Sequence, residues 1–181
     1  MKFLSALLLL SLPFSLLAED SEWFIGIDGG ATSTQLTNST TGSDNTFGPE
    51  YGLKVGLREK NSRIYLGYTA ADSIGQPVNK TQTSYLALEG VSDEFKVVAK
   101  STAKFFLGVR LGASIADVNT DVNNTSTAAF MGGFQTGLIF LLPADFEIEL
   151  AYRHYWTFKE SGTDFNAGSA YGGLNYKFYA F

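Results

Sequence analysis

Residues 50–58 read EYGLKVGLR, with an apolar side chain at each odd position and glycine or a charged side chain at each even one. Because successive side chains of a β-strand point to opposite faces, this period of two predicts a strand with one apolar and one polar face. The charged residues exclude a strand that is buried among apolar side chains on both sides. The two faces must therefore meet different surroundings.

The same alternation recurs in seven other segments, and the one around residues 85–89 is the weakest. The others lie at residues 22–31, 63–69, 104–115, 130–140, 146–156 and 173–178. A tilted strand of about nine to eleven residues crosses a membrane, and eight such strands account for the chain after its first 18 residues. The pattern predicts an all-β fold, an eight-stranded antiparallel up-and-down transmembrane β-barrel.

A soluble β-sandwich or a lipocalin-like barrel would also alternate, because its inner face is apolar and its outer face polar. The glycines distinguish the two possibilities. Eleven of the 19 glycines fall on the polar faces of the predicted strands, and three fall on the apolar faces. Glycine weakens an exposed strand surface but is useful inside a narrow barrel, where little room is left for side chains. This distribution favours a barrel with its polar face inside.

The connections between the predicted strands alternate in length and chemistry. Four are long and rich in Thr, Asn, Ser, Asp and Gly, an arrangement typical of outer-membrane barrels, which have long outer loops and short periplasmic turns. The long connections are residues 32–46, 71–82, 116–127 and 159–168, the tight ones are 59–62 and 142–145, and 90–101 is longer than a typical periplasmic turn. We therefore expect periplasmic termini and extracellular long loops in the outer membrane of a Gram-negative bacterium.

The first 18 residues have the features of a secretory signal peptide. Lys2 gives a short positive region, residues 4–17 are largely apolar, and Ala18 is a small residue suited to the position before a cleavage site. The alternative is an uncleaved anchor, but this segment is shorter than the roughly 20 residues that a spanning helix needs. We predict a signal peptide over residues 1–18 that directs Sec export and is cleaved, and a barrel domain over residues 19–181.

The composition argues against several classes of protein. The chain has a formal net charge of −5 and no basic run, which argues against nucleic acid as a partner. It has no cysteine, so a disulfide scaffold and a thiolate metal site are excluded. No glycine-rich phosphate loop, metal-ligand cluster or cofactor motif is present, and we expect no cofactor and no metal.

The polar faces carry the charged residues that we predict to line the lumen. Acids and bases in a narrow, low-dielectric tube should pair, because an unpaired buried charge is costly. Arg153 shares a face with Glu147 and Glu149, so we expect a salt bridge within that strand. The alternative to a stabilising network is a gated ion path through the same residues. The predicted network consists of Glu50, Lys54, Lys104, Arg110, Glu147, Glu149, Arg153 and Lys177, and the lumen also carries Asp28, Arg58, Arg63 and Glu89.

The chain resembles the small outer-membrane β-barrel superfamily that includes the transmembrane domain of outer membrane protein A, outer membrane protein X and the opacity proteins. The resemblance rests on the signal peptide, the eight strands, the four long polar loops and the C-terminal segment GGLNYKF, residues 172–178. It implies that Gly172, Leu174, Tyr176 and Phe178 form the signal read by the outer-membrane assembly machinery. Residues 179–181 extend past this signal, and if Phe181 were the signal residue, the faces of the last strand would exchange.

Two classes of function stay open. One is a structural or surface-interaction protein, adhesin-like or antigen-like, whose partners would be outer-membrane lipid, lipopolysaccharide and an unidentified surface ligand. The other is a narrow, porin-like channel for ions or small solutes. The lipid A deacylases of this barrel class carry a His on the outer wall and a Ser two residues on, but here His154 is followed by Trp156. Without that nucleophile we expect no enzyme, and we expect a monomer.

Overall fold

The computed structural model describes residues 21–38, 42–74, 78–98, 101–119, 124–158 and 163–179. The predicted signal peptide and Phe181 lie outside the described residues. None of the described residues belongs to a helix that is long and apolar enough to cross a membrane. The strands are β1 (Glu22–Asn38), β2 (Gly42–Arg58), β3 (Ser62–Asp72), β4 (Val78–Val91), β5 (Phe95–Val98), β6 (Ser101–Asn119), β7 (Asn124–Leu141), β8 (Phe146–Thr157) and β9 (Thr163–Phe178).

Eight of these strands close into an antiparallel ring in the order β1-β2-β3-β4-β6-β7-β8-β9, and β9 pairs with β1 to complete it. The predicted up-and-down barrel is confirmed. The sequence pattern did not predict β5, which lies within the connection at residues 90–101 and pairs with the first residues of β6, from Ser101 to Ala103. This short strand explains why that connection is longer than a simple turn.

The alternating pattern assigns the two faces of the wall correctly. Leu53 is 58% exposed on the outside, whereas its neighbour Lys54 is 3% exposed inside the barrel. The outer wall is an apolar surface that suits lipid, and the charged residues point inward. The interior also holds apolar and aromatic side chains that lie between the charged ones, namely Phe24, Tyr65, Tyr85, Phe106, Met131, Ile139, Tyr155 and Tyr171.

The long polar connections are largely strand, which corrects the expectation of long loops. β1 continues to Asn38 and β2 begins at Gly42, and their ladder of paired residues runs without interruption from Glu22 and Arg58 to Asn38 and Gly42. Beyond the lipid the outward face of a strand meets water, so the apolar alternation disappears while the backbone hydrogen bonds continue. Threonine, which is frequent in these segments, is also a good strand former.

The barrel has two different ends. The terminal end carries Glu22 and Phe178, the turns after β2 and β7, and β5. The hairpin end carries the β1–β2, β3–β4, β6–β7 and β8–β9 hairpins. The β1–β2 and β6–β7 hairpins are built from the longest pairs of strands and lie on opposite sides of the ring.

Candidate functional site

The candidate site is the lumen, which contains most of the charged residues that the sequence analysis identified. On six strands, charged residues at alternate positions point to the barrel axis, where they are buried. Because the ring is narrow, side chains from opposite walls meet at its centre. The charges are Asp28 on β1, Glu50, Lys54 and Arg58 on β2, Arg63 on β3, Glu89 on β4, Lys104 and Arg110 on β6, and Glu147, Glu149 and Arg153 on β8.

Glu149 is the centre of this arrangement. Its Oε2 lies 2.9 Å from Lys54 Nζ and 3.1 Å from Arg63 Nη1. Tyr171 Oη donates to Glu149 Oε1 over 2.7 Å, and Asn175 Nδ2 donates to Oε2 over 3.1 Å. The carboxylate is thus fully buried but satisfied by two cations and two neutral donors, as a buried charge must be.

Arg63 extends the network to a second carboxylate. Its guanidinium forms an ion pair with Glu89, whose Oε1 also accepts a 2.8 Å hydrogen bond from Tyr65 Oη. Gln135 Nε2 donates to both Tyr65 and Glu89. Charged and neutral groups from β3, β4, β7, β8 and β9 therefore belong to one connected set.

Arg153 forms a separate cluster nearer the hairpin end. Its Nη2 lies 2.6 Å from Asp28 Oδ1, and its Nε donates to Glu50 Oε1 over 2.7 Å. Ser169 Oγ donates to the other oxygen of Glu50 over 3.0 Å, and the Tyr171 ring lies 4.0 Å from the guanidinium carbon. One arginine thus joins β8 to β1 and β2 across the lumen.

The expected salt bridge within β8 is wrong. Arg153 pairs with Asp28 and Glu50, and Glu147 pairs with Arg58. Side chains four positions apart on one strand are separated by about 13 Å, whereas two long side chains from opposite walls of a narrow barrel reach each other.

A shallower charged region lies at the terminal end, around a cavity of about 320 Å³. Lys104 Nζ lies 3.6 Å from Glu94, and Lys177 Nζ lies 3.9 Å from Glu22. Close by, Tyr179 Oη donates to Glu22 over 2.6 Å, which raises the pKa of that phenol. These pairs are partly open to solvent and should be weaker than those at the centre.

Arg110 departs from the predicted network. It is 1% exposed, and none of its three side-chain nitrogens has a hydrogen-bond partner among the described residues. Its guanidinium carbon lies 3.6 Å from the centre of the Tyr85 ring. The cross-strand neighbours of Arg110 are Ala87 and Gly133, so no acid is directly opposite it on either adjacent strand.

The structure therefore brings seven of the eight predicted network residues into ion pairs and leaves Arg110 outside them. The sequence analysis missed the neutral members, Tyr65, Gln135, Tyr171 and Asn175, and the acids Glu22 and Glu94 that pair with lysines. The neutral residues share the inward parity of the charges, and this was the signal that could have identified them.

The remaining predicted residues lie on the outer wall of the barrel. Leu174, Tyr176 and Phe178 point outward from β9, and Phe178 is paired with Trp23 at the start of β1. Gly172 lies on the same outer face, opposite Gly29 and Leu150. His154 also lies on the outer wall, between the aromatic rings of Tyr152 and Trp156, and the Tyr152 hydroxyl is 3.3 Å from His154 Nδ1.

Comparison with solved structures supports the barrel fold. The chain is similar in structure to Neisserial surface protein A, with 20% sequence identity over 88% of this chain and 100% of that one and a TM-score of 0.64. It is also similar to outer membrane protein H of P. aeruginosa, with 18% identity over 87% of this chain and 99% of that one and a TM-score of 0.53.

No curated protein sequence matches the chain significantly. The sequence profile of the outer membrane protein beta-barrel domain, however, matches residues 4–178, which is nearly the whole chain. The chain therefore belongs to the outer membrane protein beta-barrel domain family and is a protein of the bacterial outer membrane.

Proposed function

We propose that this barrel is closed by its ion pairs and works through the hairpins that it displays at the cell surface, as a structural or surface-interaction protein. The observation that carries the proposal is the ion pair between Arg63 Nη1 and Glu149 Oε2, at 3.1 Å. β3 and β8 are directly opposite in the eight-membered ring, so this pair crosses the full width of the lumen.

Several other contacts fill the lumen at neighbouring depths. Lys54 and Arg58 of β2 pair with Glu149 and Glu147 of β8, and Arg153 of β8 pairs with Asp28 of β1. The interior of an eight-stranded barrel is just wide enough to be filled by its own side chains. These layers of ion pairs occupy the described lumen, which supports a plug over the alternative of a channel.

The hairpin end supplies the surface for recognition. The outward side chains of β1 change from apolar to polar after Ala31, with Ser33 and Gln35 as the next outward residues. The hydrogen-bonded ladder nevertheless continues to Asn38, so the β1–β2 hairpin extends as paired strands beyond the apolar part of the wall. The β6–β7 hairpin stands opposite, and the two flank the mouth of the barrel. We propose that a surface ligand binds here and that this end is extracellular.

We also propose that the protein is not an enzyme. The histidine of the chain, His154, has aromatic neighbours on the outer wall and its polar partner is the phenol of Tyr152. A histidine base needs a nucleophile within hydrogen-bond reach. Trp156 and Tyr152, the outward neighbours of His154 along β8, include no serine or threonine.

Conductance in planar lipid bilayers tests the plug. We expect the wild-type protein to show only small, infrequent openings, and Glu149→Ala, which removes the acid at the centre of the network, to show more frequent ones. Glu94→Ala is the matched control, because it removes a glutamate that is 53% exposed at the terminal end. A steady, large open level in the wild type would establish transport as the function instead.

Cysteine labelling in intact cells tests the orientation, and the natural chain gives no background because it has no cysteine. Asn45→Cys lies in the β1–β2 hairpin and Lys60→Cys lies in the turn at the terminal end, and both positions are exposed. A membrane-impermeant maleimide should label the first in intact cells and the second only after the outer membrane is permeabilised. The reverse result would put the hairpins in the periplasm.

A further inference from the structure

Arg110 is a buried cation that the ion-pair network does not use. Its Nε, Nη1 and Nη2 atoms are all buried and have no hydrogen-bond partner among the described residues. The other arginines buried in the described barrel each contact at least one carboxylate: Arg58 contacts Glu147, Arg63 contacts Glu89 and Glu149, and Arg153 contacts Asp28 and Glu50.

Among the described residues, Arg110 has an aromatic face as its partner. The Tyr85 ring lies 3.6 Å from the guanidinium carbon and attracts the positive charge, but it accepts no bond in the plane of the guanidinium. The ring therefore leaves the five N–H donors of the guanidinium without an acceptor. A buried charge without a counter-charge is strongly unfavourable, so these donors require an acceptor from outside the described residues.

The cross-strand neighbours of Arg110 are small, and a hydroxyl group lies further along the same strand. These neighbours are Ala87 and Gly133. Four residues further along β6, Ser114 Oγ lies 3.2 Å from Thr83 Oγ1 of β4. Tyr155 of β8 is buried and is paired with Gly133, the neighbour of Arg110 on β7. The Thr83–Ser114 pair lies on the hairpin side of Arg110.

The route from the hairpin end to Arg110 is neutral and polar. The buried polar side chains on this side of the lumen are hydroxyls, and one of them, Thr81 Oγ1, has no partner among the described residues. Among the buried carboxylates of the described lumen, Asp28 and Glu50 lie nearest to this end, and Arg153 pairs with both. Arg110 is therefore a buried cation that the described residues leave unpaired.

We propose that Arg110 binds a small monovalent inorganic anion, of the size and charge of chloride, inside the barrel. A monovalent ion balances the single free charge, and the N–H groups of the guanidinium are able to donate to it. The inference does not depend on whether the barrel is plugged, because the site lies beside the ion pairs and not among them.

Halide binding to the refolded barrel in detergent micelles tests this site. Thermal unfolding is followed at constant ionic strength in sodium chloride, sodium bromide and sodium gluconate. We expect both halides to raise the melting temperature above its value in gluconate in a saturable manner. Arg110→Gln should lose this difference and Arg110→Lys should keep part of it. Lys60→Gln, which removes an exposed positive charge from the terminal end, should respond like the wild type.

Crystals grown in bromide give a second readout that does not depend on a variant that may fold poorly. We expect an anomalous bromide peak within contact distance of the Arg110 guanidinium. Equal melting temperatures in halide and gluconate, a halide effect that survives in Arg110→Gln, or bromide peaks elsewhere with none at Arg110 would each overturn the proposal. In those cases water alone would satisfy the guanidinium.

Discussion

Glycines inside this barrel lie where an aromatic ring from the next strand needs their space. Tyr65 is paired across the strands with Gly56, and Tyr85 is paired with both Gly67 and Gly112. A ring that lies over a glycine of the adjacent strand covers exposed backbone and fills the lumen without widening it. The excess of glycine on the polar faces thus reflects packing between neighbouring strands as well as the narrowness of the tube.

This packing predicts that an added methyl group is tolerated outside the barrel and not inside it. A Cβ at Gly67 would lie 2.6 Å from Tyr85 Cε2, whereas a Cβ at Gly29 would meet only the Glu50 carbonyl oxygen, at 3.9 Å. Gly67→Ala should lower the free energy of unfolding by about 1 to 3 kcal/mol through overpacking. Gly29→Ala should change it by less than about 0.5 kcal/mol. Urea unfolding in lipid vesicles measures both, and equal effects would contradict the packing argument.

Burial should also decide what a glutamate contributes to stability. Glu149 is fully buried between Lys54 and Arg63, whereas Glu94 is 53% exposed beside Lys104. Glu149→Gln should cost about 3 to 5 kcal/mol, because it leaves the buried Lys54 without its acid. Glu94→Gln should cost less than about 1 kcal/mol. The same urea unfolding experiment distinguishes them, and a small loss for Glu149→Gln would mean that water penetrates the network.

For individual residues, the sequence predicts which side chains point inward but not which ones form ion pairs with each other. Parity alone gives the inward direction of Glu149, Arg153 and Arg110. The partners depend on the strand order around the ring, the tilt of the strands and the reach of each side chain across the lumen. This is why the pairing of Arg153 with Glu147 or Glu149 was wrong, and why the isolation of Arg110 was not foreseen.

Among the elements, β9 has two tasks, since it closes the ring against β1 and carries the expected assembly signal. Its outward side chains, Leu174, Tyr176 and Phe178, continue the apolar face to the last residue of the strand. Tyr179 follows the strand and makes an exposed hydrogen bond to Glu22. The register thus supports Phe178 as the signal residue, while Phe181 lies outside the described residues.

Deletion of residues 179–181 should leave outer-membrane levels of the protein nearly unchanged, because it removes no paired strand residue. Phe178→Ala should lower those levels by weakening recognition by the assembly machinery. Immunoblots of outer-membrane fractions, normalised to total synthesis, compare the two changes, with Lys177→Ala as a control on the inward face of the same strand. A greater loss from the deletion than from Phe178→Ala would transfer the signal to Phe181.

Element lengths show another limit of the sequence pattern. The apolar alternation marks only the part of a strand that meets lipid, and β6, for example, runs for 19 residues, from Ser101 to Asn119. The ends of the strands were therefore predicted as loops. β5 was missed for a similar reason, since four residues that pair only with the start of β6 are too few to show a period.

For the whole molecule, the continuous ring of backbone pairs is the feature that the sequence predicted best, because lipid allows only structures that satisfy their own hydrogen bonds. The eight alternating segments, the polar interior faces and the short turns all indicate a closed barrel. In the structure, the β1–β9 and β4–β6 pairings complete the ring. The interior is harder to predict, since many combinations of side chains fill a tube of the same width.

Closure of the ring should be visible on a gel. Because each of the eight strands in the ring has two hydrogen-bonded neighbours, the refolded barrel should resist SDS at room temperature and unfold in it only on heating. Unheated and boiled samples should therefore migrate differently. A chain that ends at Phe158 lacks β9 and leaves β1 and β8 with unpaired edges, so this control should migrate identically before and after boiling. If the full-length protein gave one mobility under both conditions, or if the shortened chain kept the shift, then the β1–β9 pairing would not be what holds the barrel together.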